Sequence, residues 1–201
     1  MPDRLLTEIQ RDALQEIANM GMGDAALRLS GLLDAFIELS VPRVRVVRAA
    51  EAARTLAAMT GIAEPVTAVR QGFRSEIRGE ALVLCRSAAV ADLGTMLGDA
   101  GDERADERML DVANLITGAC VSSILDWLGR QPAFSPPELL GDAILLDDVF
   151  RAGMLVWDLA LLVEVSFALE HQHFRAHLVM LMDEASIRLV RDALDLLVHD
   201  L

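Results

Sequence analysis

Apolar side chains return at intervals of three and four residues through 3–33 and again through 103–129, the spacing of a helix with one buried face. Elsewhere the period drops to two. IELSVPRVRVV (37–47) alternates as a strand does, and Pro42 inside it marks an edge or a bulge, because proline has no N–H to give a neighbouring strand. The pattern further predicts short helices over 50–60 and 88–97 and strands over 65–73, 79–86, 153–168 and 174–182. A hairpin turn is expected at EHQH (170–173) and a closing helix over 184–198. Long helices beside antiparallel strands make the expected class α+β.

The chain also contains itself twice. A shift of 95 residues lays Glu8 on Glu103, Asp12 on Glu107, Glu16 on Asp111, Asn19 on Asn114, Gly23 on Gly118 and Pro42 on Pro137. A shift longer by one residue lays ALVLCRSAAVADLGTML (81–97) near HLVMLMDEASIRLVRDAL (177–194). We therefore expect a single domain made of two pseudo-repeats, about 1–97 and 98–201, related by a pseudo-twofold with a long helix of each packed on one antiparallel sheet. The polar stretch GDAGDERADE (98–107) joins the copies and offers Asp102 or Asp106 as a helix cap.

Composition narrows the function classes. The 201 residues are 53% hydrophobic with mean hydropathy +0.37, enough for a continuous core. The most apolar run, 153–169, is broken by Asp158 and Glu164 and is rich in β-formers, so it reads as buried strand rather than membrane span. No charged-then-apolar leader opens the chain, so a cytoplasmic protein without membrane insertion is expected. Cys85 and Cys120 stand far apart with no C-x-x-C and read as reduced apolar side chains. A net charge of −13, with every one of the 18 basic residues an arginine, argues against nucleic acid and fits a basic or cation-bearing partner.

Candidate chemistry lies on the polar faces of the two long helices. At about 100° per residue, Asp12, Glu16 and Asn19 fall within about 60° of one another, with Glu8 at the edge. Leu6, Ile9, Ala13, Ile17 and Met20 take the neighbouring arc and are expected to face the core. In the second copy Glu103, Glu107, Asp111 and Asn114 trace the same ridge, with Val112, Leu115 and Ile116 inward. One E-x-x-N on a helix is ordinarily a solvated face. Asparagine gains nothing in mid-helix, yet here it occurs at the equivalent place twice, each time three residues after an acid and 23 before a proline.

D-x-x-x-E-x-x-N followed by 22 residues and Pro (Asp12, Glu16, Asn19, Pro42) resembles the signature of the CheC/CheX/FliY phosphatases, which dephosphorylate the chemotaxis response regulator CheY. EIANMGMGDAA resembles the family's glycine-rich segment, LSVPRV its following strand, and WLGRQPAFSPPELL the corresponding segment of the second half. Two copies and no obvious FliN-like tail point within that family to CheC. The resemblance implies hydrolysis of an aspartyl-phosphate on a CheY-like receiver. Asn19 and Asn114 would align the attacking water, Glu16 and Asp111 would pair with the partner's lysine, and Asp12 and Glu107 would shape docking. An amide accepts and donates at once, so it can hold a water in line with phosphorus. No cofactor of the chain's own is implied, because the receiver brings its Mg²⁺.

Four positions depart from the family pattern. Asp111 replaces Glu and shortens the reach by about 1.5 Å, which favours the first site. Ala18 and Ala113 stand where the family has glycine, and their methyls are expected to crowd a close partner. Asp24 takes a position commonly Asn. Rival roles implied by the same resemblance are a binding module for CheD or a receiver, and a docking component of the flagellar switch.

Other constellations carry less. His171, His173 and His177 share strand parity, but no Cys or acid is spaced to complete a zinc site. GMG (21–23) lacks the lysine of a phosphate loop and reads as close packing within a helix. Ser122 and Ser123 have no evident histidine partner, and Trp127 and Trp157 are expected in the core.

Overall fold

The computed structural model describes residues 5–33, 36–86, 105–151, 159–169 and 175–199. The helix predicted over 88–97, most of the joint at 98–107, the turn at 170–173, and His171, His173 and Trp157 lie outside the described residues.

The first long helix, α1 (Glu8–Leu33), opens on a capping box. The Thr7 hydroxyl accepts from the Gln10 backbone N–H at 3.2 Å while Gln10 Oε1 accepts from the Thr7 N–H at 2.9 Å, so two otherwise orphaned donors are satisfied. Next come β1 (Ile37–Leu39), β2 (Arg43–Arg48), a 3₁₀ turn (Ala49–Glu51), α2 (Ala52–Thr60), β3 (Val66–Arg74) and β4 (Arg78–Arg86). The second half repeats that order: α3 (Ala105–Trp127), β5 (Ala133–Phe134), β6 (Glu138–Ile144), α4 (Leu146–Arg151), β7 (Leu159–Leu169) and β8 (Arg175–Met182). It closes with α5 (Glu184–His199). Gly129, at φ +68°, ends α3 with paired backbone bonds from Gly129 and Arg130 to Asp126 and Leu125. Proline splits the predicted 37–47 strand into β1 and β2, with residues 40–42 between them.

The strands form one antiparallel sheet in the order β1-β7-β8-β4-β3-β5, with β2 also on β7 and β6 also on β3. The halves therefore exchange their outer strands. β1 and β2 of the first copy pair with the second copy's β7, while β5 and β6 pair with the first copy's β3. Matching side chains mark the pseudo-twofold. Ser40 gives its backbone N–H to Ser166 O and accepts from Ser166 N on its hydroxyl, and Ser135 repeats both contacts with Gly72. Ser40 and Ser135 are again 95 positions apart.

One row crosses the whole sheet: Arg43, Glu164, Val179, Leu82, Arg70, Glu138. Each end is an ion pair at 2.7 Å, Arg43 with Glu164 and Arg70 with Glu138, and the two copies carry opposite polarity. Glu164 has no exposed side-chain surface and also meets His177 Nδ1 at 2.8 Å, which satisfies both carboxylate oxygens.

Helices α1, α3 and α5 cover one face of the sheet over a core that includes Leu14, Leu29, Val83, Ile124, Leu161 and Met180. Helices α2 and α4 cover the other, over Leu56, Leu82, Leu84, Leu162 and Leu181. By length and composition α3 alone among the described helices could cross a membrane, but most of it is buried in the first core.

Three expected core placements change. Ile9 is 68% exposed and Met20 is on the surface, while Leu14, Ala18 and Met22 are buried. The helix is turned by its cap: Gln10 is buried, and its Nε2 donates to Asp195 of α5 at 2.6 Å, which draws that side inward and swings Ile9 out. Trp127 is 46% exposed rather than core, because Leu128 takes the inward place at the end of α3. The indole instead lines a surface pocket with Asp24, Arg28, Ser123 and Asp126.

Candidate active site

The two long helices cross where α1 carries no side chain. A β-carbon at Gly21 would lie 2.9 Å from the Ile124 backbone nitrogen, so glycine permits the close approach there. With Leu14, Ile17, Ala18 and Leu29 turned to the core on α1, and Val112, Ala113, Ile116 and Val121 on α3, the opposite faces are left to solvent.

Those faces carry the residues singled out in the sequence. Asp12, Glu16 and Asn19 are all exposed on α1, with Glu8 beside them, and Glu107, Asp111 and Asn114 are exposed on α3. Residues three and four apart on a helix are neighbours, so each acid stands beside its amide. The structure gathers each set on its own helix, as two ridges. Exposed Ile9, Met20 and Leu27 flank the first ridge and give it an apolar border, two members of which, Ile9 and Met20, the periodicity had assigned to the core. Ala18 and Ala113 are buried, so their methyls point into the protein and not towards an approaching partner. The crowding expected from them does not arise.

The ridges differ in one respect. Among the described residues Asn19 makes no side-chain hydrogen bond. Asn114 Oδ1 accepts from Gln71 Nε2 at 2.7 Å, and the same nitrogen donates to the Ser135 carbonyl at 2.8 Å. Gln71 is buried on β3 between Val69 and Phe73 on the helix-facing side. It was not singled out in the sequence, although a lone amide at inward parity in an apolar strand is a usable signal.

The remaining candidates serve the fold. His177 is engaged with Glu164 in the sheet. Burial pushes the Cys85 thiol up to about 12 and raises the Cys120 thiol further, so both are poor nucleophiles. Gly21 fulfils the close packing expected of GMG, whereas Gly23 meets nothing within 4 Å. No group of three metal-ligating side chains occurs among the described residues.

A duplicated α+β sheet bearing two exposed acid-and-amide helices defines the class, and known proteins of similar sequence and fold can be set beside it. The CheC-like family model matches residues 9–46, the ridge of α1 through β2. The flagellar motor switch phosphatase FliY of Bacillus subtilis (strain 168) is 27% identical over 178 residues, which cover 82% of this chain and 43% of FliY. The chain thus spans less than half the length of that relative. Among solved structures, Thermotoga maritima FliY superposes with a TM-score of 0.72 at 20% identity, covering 94% of this chain and 98% of the other. The FliM middle domain of Vibrio alginolyticus gives 0.61 at 13% identity, covering 92% and 99%. CheX of Desulfovibrio desulfuricans gives 0.52 at 16%, covering 82% and 99%. The chain thus resembles the CheC-like family over residues 9–46 and shares its fold with FliY and CheX.

Proposed function

We propose that this chain is a phosphatase for the aspartyl-phosphate of a CheY-like receiver. The observation that carries the reading is the pair of outward ridges, Glu16 with Asn19 and Asp111 with Asn114, held by helices whose other faces are locked in the core. Likeness to FliY, whose name is that of a motor switch phosphatase, supports it. An asparagine is no base at neutral pH, so its part is geometric. It receives a hydrogen from a water and directs the water's lone pair at phosphorus. Glu16 pairs with a lysine of the receiver and sets the approach of α1, and Asp12 and Glu107 extend the acidic contact. The divalent metal at the phosphoryl group belongs to the receiver's own site. The net charge of −13 favours such a cation-bearing surface.

Mixing the protein with a phosphorylated receiver and Mg²⁺ should accelerate phosphate release. Asn19→Ala should remove most of the gain and Asn114→Ala less. An undiminished rate in the double variant would reject the mechanism. The second reading, an adaptor that binds a receiver or CheD without turnover, is favoured at the α3 ridge by the engaged carboxamide of Asn114. It predicts receiver affinity without acceleration in the wild type.

A further inference from the structure

The Gln71 contact fixes which end of the Asn114 amide faces outward. A carbonyl oxygen only accepts, so the Gln71 atom 2.8 Å from Ser135 O is the amide nitrogen. That same nitrogen lies 2.7 Å from Asn114, so the Asn114 atom it meets is the oxygen. Gln71 is 3% exposed. The Asn114 oxygen is therefore drawn towards the sheet, and the nitrogen is left towards solvent.

The repeat supplies the control. The serine clamps place Ser135 on Ser40 and Gly72 on Ser166, which carries Gln71 onto Val165. Val165 is buried and cannot donate, and Asn19 is untethered among the described residues. The difference bears on the chemistry. An attacking water turns a lone pair to phosphorus and a hydrogen to an acceptor, whereas an outward N–H would occupy a lone pair instead.

We propose that Gln71 is a positioning residue that holds Asn114 with its nitrogen outward, so that the second ridge holds phosphoryl oxygens as a donor while hydrolysis falls to Asn19. This rests on the phosphatase reading above. The test uses the full chain carrying Asn19→Ala, a receiver phosphorylated on its aspartate, and Mg²⁺. Into that background go Gln71→Val, which copies the first site, and Gln71→Met, which keeps the volume. Release of the tether should raise kcat on the order of tenfold with KM unchanged, a part of what near-attack misplacement costs. The gain should vanish when Asn114→Ala is added. Unchanged or lower kcat in both variants, or a gain that survives Asn114→Ala, would overturn the proposal.

Side-chain amide NMR of the free protein reads the tether without any receiver. The Asn114 NH₂ pair should move in both Gln71 variants while the Asn19 pair stays in place. An unmoved Asn114 pair overturns the tether itself. A wild type that fails to accelerate phosphate release overturns the phosphatase reading instead, so the two failures are distinct.

Discussion

Glu80 shows how a single residue answers to the two-copy plan. It sits on β4 near Arg70 and Glu138, and burial raises its pKa above the ordinary 4.5 against the pull of Arg70. One carboxylate oxygen is buried without a partner among the described residues. The folded protein thus holds this proton more tightly than the unfolded chain. Stability from the group is fully present below pH 4.5 and is lost as pH rises through the raised value. Glu80→Gln should therefore be more stable than wild type at neutral pH, with the advantage gone at about pH 4. Urea unfolding at the two pH values measures this, and a variant less stable at neutral pH would contradict it. The corresponding place in the other copy holds His177, which supports Glu164 rather than burdening it.

Within the helices, two glycines two positions apart should respond oppositely to the same methyl. Gly21→Ala drives a β-carbon to 2.9 Å from the backbone of Ile124 and should cost about 1–3 kcal/mol. Gly23 and its counterpart Gly118 have nothing within 4 Å, so Gly23→Ala should gain about 0.5–1 kcal/mol from helix propensity. Thermal unfolding reads both signs. Gly23 lies one turn beyond Asn19 on the exposed face, so a Gly23→Ala protein that is more stable yet has a higher KM would mark a close approach of the receiver there. Much of the element plan was legible in sequence, because apolar period, caps and repeat all pointed one way. The rotation of α1 was not, since it depends on Gln10 reaching Asp195, 185 residues away. Strands β5 and β6 were not predicted: Pro132, Pro136 and Pro137 break any strand alternation there, and pairing with β3 makes strands of them. The ridge could be read from local spacing alone, whereas the Gln71 tether joins a strand and a helix that only the fold brings together.

For the molecule as a whole, strand exchange makes each copy depend on the other. Among the described residues β1 and β2 find their partner only in β7, so residues 1–97 alone lack the strand against which their outer strands close. That fragment should be unfolded, or should pair with a second copy of itself and borrow the missing strand. Circular dichroism and size-exclusion chromatography distinguish these from a folded monomer, which would contradict the exchange. The charge row adds a further asymmetry: equivalent cross-strand positions keep an ion pair, but acid and base trade places. Duplication has thus preserved the geometry while letting the chemistry of the two halves drift apart, in the sheet and at the ridges alike.

Both margins of the sheet are broken lines, three residues and then six on one side, two and then seven on the other, with proline in each gap. A neighbouring chain that tried to zip along either border would lose its footing at the gap. Many copies crowded together should thus stay dispersed instead of growing into fibres.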